Sequence, residues 1–96
     1  MIIHIVKNKV KAGTAAEYTK VAEDFMAYVK EHCAGCISAR VMVDTVQEDV
    51  VANLIEWESK AALEAHLNGD SLSKFVDRLM PYFEGNTTEV YEIAGE

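Results

Sequence analysis

The stretch Val50-Val51-Ala52-Asn53-Leu54-Ile55-Glu56-Trp57 is apolar on both sides of the strand that it predicts. Successive side chains of a strand point to opposite faces, so Ile55 and Trp57 share one face while Leu54 and Ala52 share the other. β-Branched and aromatic residues favour strands, and a sheet that leaves one face to water carries polar residues there. This stretch therefore predicts a strand in a sheet whose two faces are both covered.

Two more strands and a helix are predicted before this strand. Residues 2–10 are a mostly β-branched run, residues 36–44 predict a second strand, and the polar residues 45–49 form the turn into the strand at residues 50–57. Thr14 and Glu17 fit a capping box at the start of a helix. Apolar residues at spacings of three and four then predict one buried stripe on that helix, which ends near His32: Tyr18, Val21, Ala22, Phe25 and Val29.

The remainder of the chain predicts two short helices and a last strand. Ser59 is a helix cap, and the helix that it starts carries Leu63 and His66 before residues 68–70 end it. A third helix starts at Ser71 and closes at Pro81, and residues 87–93 form the last strand. The order β-α-β-β-α-α-β is the ferredoxin-like plan of the α+β class. Its product is a four-stranded antiparallel sheet with helices on one face.

One layer of helices leaves the second apolar face of this sheet open. An apolar face of order 600 Å² exceeds what most monomers tolerate, and covering it stabilises by on the order of 15 kcal/mol before the costs of association. We therefore expect a homodimer through this sheet face. The second strand contributes to both faces, because strict alternation separates Cys36 and Met42 from Ile37, Ala39, Val41 and Val43.

Length and charge limit the classes of function. Ninety-six residues, half of them hydrophobic, are expected to form a single domain over residues 1–96. The net charge of −7 argues against binding nucleic acid, whose phosphates require a basic surface. Residues 1–6 are too short an apolar run for a signal peptide, and no stretch approaches the ~20 apolar residues of a membrane span. The expected location is the cytoplasm.

The two cysteines form the motif Cys33-Ala34-Gly35-Cys36, which has the spacing of thiol redox proteins. In those proteins the motif lies at a helix N-terminus, where the dipole favours the thiolate. Here it falls at the predicted end of the first helix, where the dipole disfavours it. His32 would supply a third zinc ligand, but a structural zinc site has four and no second cluster follows. We therefore expect two reduced, packed cysteines.

Residues 54–67, Leu-Ile-Glu-Trp-Glu-Ser-Lys-Ala-Ala-Leu-Glu-Ala-His-Leu, carry a resemblance that extends over nearly the whole chain. A strand that ends in a Glu-Trp-Glu-Ser-like run, followed by a helix with Ala-Leu and then His, is similar to antibiotic biosynthesis monooxygenase-type domains. The turn at residues 11–13, the Ala-Gly-Cys step at residues 34–36 and the Phe75 helix are similar as well. The resemblance implies a dimeric α+β barrel, in agreement with the strand pattern.

The same resemblance implies a class of reaction. Family members oxidise quinols and polyketide quinones with O2 and without flavin or metal, and related proteins degrade haem or isomerise signalling molecules. We therefore expect a monooxygenase that acts on a small aromatic ligand with no bound cofactor. A non-catalytic binding or stress-related dimer and an isomerase are the alternatives. Haem degradation is not expected, because His66 and Val76 align with the Trp and His of haem-degrading relatives and Asn8 is out of register with their strand-one Asn.

His66 is the expected catalytic residue. Its spacing from Leu63 places it on the helix face turned toward the sheet, where a neutral imidazole could accept a proton from a phenolic substrate. The alternative is a core histidine bonded to a backbone carbonyl. Trp57 ends its strand just before this helix, where it could form the wall for a flat aromatic ligand or serve as a core aromatic.

Three polar strand residues are expected to bind the substrate: Asn53, Asn8 and Arg40. Asn53 shares the face of Trp57, and a buried amide needs a partner in the backbone, a ligand or the second subunit. Asn8 and His4, on the first strand, likewise need a hydrogen-bond partner if they are buried. Arg40 could pair with a carboxylate or an enolate of the ligand, with a cross-strand or cross-dimer salt bridge as the alternative. The sequence contains no nucleophile–base triad or phosphate loop, so the reaction class rests on the resemblance.

Overall fold

The computed structural model describes residues 1–95 and confirms the predicted order of elements. The strands are β1 (Ile2–Val10), β2 (Cys36–Val43), β3 (Val50–Trp57) and β4 (Phe83–Glu92). The helices are α1 (Ala15–His32), α2 (Lys60–Leu67) and α3 (Val76–Leu79), and a 3-10 turn at Leu72–Lys74 precedes α3.

The four strands form one antiparallel sheet in the order β2-β3-β1-β4. β1 and β3 are central, and their register pairs Ile2 with Trp57 and Asn8 with Val51. The helices cover one side, here called the inner face, to which these strands contribute Ile2, His4, Val6, Asn8, Val10, Val51, Asn53, Ile55 and Trp57. The opposite side, the outer face, carries Ile3, Ile5, Lys7, Val50, Ala52, Leu54 and Glu56.

Helix α1 supplies the largest part of the core beneath the helices. The predicted stripe is buried, and Met26 joins it. Val29 of α1, like Val51 and Trp57 of β3, is completely buried. Because the stripe recurs at helical spacing, α1 packs along β2 and β3 with one side while its charged side faces water.

The turn between α1 and β2 requires glycine at position 35. Gly35 has φ +82°, a conformation that side chains rarely adopt, and a Cβ there would lie 2.5 Å from the Cβ of Ala62. Its carbonyl also accepts a hydrogen bond of 2.8 Å from the backbone N–H of Glu58. The end of α1 and the start of α2 therefore approach each other at this glycine.

Two helix starts differ in how they are capped. The predicted capping box is wrong, because the Thr14 side chain makes no cap bond and its hydroxyl instead donates to the Lys11 carbonyl at 2.6 Å. The cap at Ser59 is confirmed, since its hydroxyl oxygen accepts from the Ala62 N–H at 3.2 Å. Thr14 has φ −108° and ψ 5° instead of the extended conformation usual at an N-cap, so its hydroxyl lies at the preceding turn and not over the first helical N–H groups.

The last strand is longer than predicted and the third helix is shorter. β4 begins at Phe83, four residues before the predicted position 87, because its pairing with β1 continues to Val10 across an irregularity after Lys9. Gly85 lies within this pairing and forms no turn. The segment that starts at Ser71 is not one helix, since it consists of the 3-10 turn followed by the single turn of α3.

An irregularity in β2 reverses the prediction for Cys36. The register shifts between Cys36 and Ser38, so Cys36 pairs with Trp57 and packs against the core together with Ala39 and Val41. Ile37, at the irregularity, is 49% exposed. A bulge inserts one residue into the alternation, so the residues before it change faces.

Candidate active site

His66 lies on the side of α2 that faces the sheet, as its spacing predicts. It is half-buried, and it lies one helical turn after Leu63, which is buried in the core. The centroid of its ring is 5.0 Å from that of Trp57, at an interplanar angle of 32°, and 6.4 Å from that of His4. The structure therefore brings together two of the predicted site residues, His66 and Trp57, and adds His4.

A cleft of about 240 Å³ opens beside His66. Its walls come from the end of α1, from α2 and from the segment before the 3-10 turn, and they include Cys33, His66 and Ser71. These three side chains are in contact: Cys33 Sγ lies 3.6 Å from His66 Nδ1 and 3.3 Å from Ser71 Oγ. The cleft therefore combines one imidazole, one thiol and one hydroxyl.

Burial sets the charge state of the two inner-face histidines. Desolvation lowers the pKa of His66 below its ordinary value of 6.5. The pKa of His4 is also lowered, first by burial and then by the nearby His66. Both rings are therefore neutral at pH 7, and a neutral imidazole can accept a proton. Nδ1 of His66 faces Cys33, so Nε2 is the nitrogen left for a ligand.

Three polar side-chain atoms on the inner face have no hydrogen-bond partner within the described part of the chain. They are His4 Nδ1, Asn53 Oδ1 and Trp57 Nε1, and all three residues are at most 6% exposed. Leaving such atoms unpaired costs about 1–3 kcal/mol each, so native cores seldom contain them. Asn53 pairs with Val6 in the sheet, next to the pair of His4 with Ile55. The three orphan atoms therefore lie along one strip of the inner face.

The other two predicted binding residues lie away from the cleft. Asn8 is buried, but its side-chain amide donates to the Val51 carbonyl at 3.1 Å, so its partner is the backbone. It is four residues from His4 along β1, a distance of about 13 Å at the usual strand rise. Arg40 projects from the outer face, where it pairs with Glu56 at 3.1 Å. The cleft lining does not include Trp57 or Asn53 either.

Cys33 and Ser71 are the cleft residues whose roles the sequence did not indicate. The Cys-x-x-Cys spacing marks Cys33, but its place at the end of a helix and the missing fourth zinc ligand argue against redox or metal chemistry. Ser71 carried no signal beyond a helix start, although it is buried. Both cysteines are free thiols. Among the described residues, no group of three or more His, Cys, Asp or Glu side chains could hold a metal ion.

Comparison with known protein families assigns the chain to one of them. The sequence model of the antibiotic biosynthesis monooxygenase family matches residues 1–78, which include His66, Trp57 and both cleft residues Cys33 and Ser71. The chain belongs to the antibiotic biosynthesis monooxygenase family. Among curated proteins, none matches the sequence.

Solved structures similar to this family member share its fold over nearly the full length. A candidate antibiotic biosynthesis monooxygenase from Caulobacter crescentus is 26% identical, with a TM-score of 0.84 over 97% of this chain and 89% of the other. Its counterpart from Deinococcus radiodurans is 22% identical, with a TM-score of 0.83 over 100% and 94%. A candidate oxidoreductase from Bacteroides thetaiotaomicron is 20% identical, with a TM-score of 0.80 over 96% of each chain.

These comparisons establish the ferredoxin-like fold and the family of monooxygenase-type domains. None of the described helices of this family member is long and apolar enough to cross a membrane.

Proposed function

We propose that the protein is a cofactor-independent monooxygenase that oxidises a small quinol or polyphenol with O2. The observation that carries this proposal is the placement of His66, a neutral imidazole against Trp57 at the edge of a cleft. A cavity of about 150 Å³ is large enough for benzene. A cleft of about 240 Å³ therefore suits a single aromatic ring with its hydroxyl groups.

In the proposed reaction His66 acts as a general base. Its Nε2 takes the proton of a phenolic hydroxyl, and the resulting phenolate has enough electron density on its ring carbons to react with O2. A hydroquinone and one O2 then give a hydroxyquinone and one water, so the substrate itself supplies all the electrons. The lowered pKa of His66 keeps the ring able to accept this proton at neutral pH.

Oxygen uptake with a panel of quinols tests this function. His66→Gln removes the base while keeping a polar side chain of similar size, and we expect it to lower kcat at least about a hundredfold. The matched control substrate is the dimethoxy analogue of the best quinol, which has no proton to lose and should consume no O2. An unchanged rate in His66→Gln would reject His66 as the base.

Two other outcomes of this assay would favour a different function. Conversion of the substrate at the same rate without O2 would indicate an isomerase that uses His66 as a proton shuttle. Thermal stabilisation by a quinol, without turnover of any member of the panel, would indicate a binding protein.

We also propose that the protein acts as a homodimer joined through the outer face. Ile5 and Leu54 are direct cross-strand partners at the middle of this face and stay only half-buried in the single chain. Several of its charges are already neutralised in pairs, Arg40 with Glu56 and Lys7 with Glu89. Pairing each charge with an opposite one offsets part of the desolvation cost of covering this face, and its apolar middle supplies the favourable burial.

A further inference from the structure

Cys33 differs from an ordinary core cysteine because both of its polar contacts belong to the cleft. Its Sγ lies 3.6 Å from the Nδ1 of His66 and 3.3 Å from the hydroxyl of Ser71. These partners are 33 and 38 residues away along the chain, so the cluster is made by tertiary packing. Cys33 itself is half-buried and lines the cleft, so a small molecule that enters there reaches the sulfur.

The second cysteine of the motif has a different environment. Burial raises the pKa of Cys36, and the neighbouring Cys33 adds to this rise. Like Cys33 it is half-buried and packs against the core, but its thiol donates to the Ser38 carbonyl at 3.5 Å and the residue does not line the cleft. A thiol with a raised pKa reacts slowly because the thiolate is the nucleophile. Cys36 is therefore an internal reference for Cys33 in the same chain.

The contacts of Cys33 are those that an addition reaction requires. In the tautomer that carries its proton on Nε2, the reverse of the one proposed for the oxidation, the neutral imidazole of His66 can accept the thiol proton at Nδ1, and the Ser71 hydroxyl can donate to the developing thiolate. Together they place a proton acceptor and a hydrogen-bond donor on one sulfur at the wall of a cavity.

We propose that Cys33 is a covalent capture site for soft electrophiles, with quinones and enones as the ligand class and His66 as the proton acceptor. With a quinone, the sulfur forms a bond to a ring carbon and the thiol proton passes through His66 to one quinone oxygen. The ring hydrogen at the attacked carbon leaves as a proton and ends on the second oxygen. The quinone becomes a hydroquinone thioether, and no further oxidant or reductant is consumed.

This capture does not depend on the proposed oxidation, because the electrophile can be supplied ready-made. A quinone is nevertheless also the product class of that oxidation. If both reactions occur, product that stays in the cleft would react with Cys33 and block His66, which limits the number of turnovers.

The test uses the wild-type chain with 1,4-benzoquinone as the probe. Timed reactions at pH 7, followed by peptide mapping in a mass spectrometer, give separate rates for Cys33 and Cys36. We expect Cys33 to react at least about ten times faster than Cys36. Cys33→Ser should lose the fast adduct, whereas Cys36→Ser should keep it. Equal rates at the two cysteines would overturn the proposal.

The role of His66 is tested in the same assay. His66→Gln should slow the reaction of Cys33 about tenfold or more, while the slow rate at Cys36 stays the same. A second measurement needs no variant: Cys33 in the folded protein should react faster than the same cysteine in the urea-unfolded chain. Faster reaction after unfolding would show that the fold does not activate this thiol, and a Cys33 rate unaffected by His66→Gln would reject His66 as its proton acceptor.

Discussion

His4 and His66 are neutral residues placed where a charge is costly. His4 is only 3% exposed, and its ring faces His66 at 6.4 Å. Protonation of either ring would place a positive charge near the core and beside the other histidine. The same burial that makes His66 a proton acceptor therefore makes the fold sensitive to acid.

We predict that the free energy of unfolding falls as the pH drops from 7.5 to 5.5. The unfolded chain binds protons at its histidines near pH 6.5, whereas the pKa of His4 and that of His66 are lower in the native state. Their contribution is therefore complete above pH 6.5 and is lost as the pH falls through the native values. Each buried histidine contributes a slope of up to about 1.4 kcal/mol per pH unit.

Urea unfolding at several pH values measures this slope. His4→Gln should give a flatter dependence than the wild type. His32→Gln is the matched control, because His32 is an exposed histidine at the end of α1, and it should keep the wild-type slope. If His4→Gln shows the same slope as the wild type, His4 is not the source of the acid sensitivity.

At the scale of elements, the cleft depends on the close approach of α1 and α2. The turn at Gly35 allows this approach, since its positive φ and its missing Cβ leave room for Ala62. Cys33 is the C-cap residue of α1 on one side of the cleft, and His66 lies in the last turn of α2 on the other. A change in the distance between these helix ends would separate the thiol from the imidazole.

We predict that Gly35→Ala destabilises more than Gly13→Ala. Both glycines have positive φ, +82° and +79°, so each substitution carries a backbone penalty of about 1–2 kcal/mol. A Cβ at position 13 meets nothing within 4 Å, whereas one at position 35 would overlap Ala62. The overlap adds about 1–3 kcal/mol to the loss of unfolding free energy.

The double variant Gly35→Ala with Ala62→Gly separates the two causes. Glycine at position 62 of α2 itself costs about 1 kcal/mol, so the reference is the Ala62→Gly single variant. Against that reference, urea unfolding should show most of the steric part of the loss recovered and the backbone part retained. Equal losses of unfolding free energy for Gly35→Ala and Gly13→Ala would show that the helices can move apart without cost.

At the scale of the whole molecule, the sheet has one face covered by helices and one face that a second copy would cover. The helices lie over β2 and β3, and the outer face places Ile5 against Leu54 at its middle. Covering this face adds apolar burial that a chain of 96 residues cannot gain alone.

We predict that Leu54→Asp converts a micromolar dimer into a monomer. A carboxylate in the middle of the covered face would lose its hydration without gaining a partner, which raises the dissociation constant at least about a hundredfold. Leu72→Asp is the matched control on the helical side, where Leu72 is 56% exposed, and it should remain a dimer. Light scattering measures both, and a wild-type chain that is monomeric at micromolar concentration would contradict the proposed interface.

Local patterns in the sequence were sufficient to predict the order of helices and strands and the side of α2 on which His66 lies. The stripe from Tyr18 to Val29 and the alternation in residues 50–57 depend only on neighbours a few positions away, so the helix and the strand could be predicted. His66 followed from its spacing to Leu63. The capping box at Thr14 failed because the Thr14 backbone, at φ −108° and ψ 5°, holds the hydroxyl at the preceding turn, which a local pattern does not reveal.

The sequence by itself therefore determined the order of strands and helices, the two apolar faces of the sheet and the side of α2 that carries His66. Only the tertiary structure decided that Cys36 turns inward, that Arg40 lies on the face opposite the cleft, and that Cys33, His66 and Ser71 meet. The physical reason is the distance along the chain over which each signal acts. Periodicity acts within one element, whereas a bulge, a strand register and a contact between residues 33 and 71 depend on how distant segments pack.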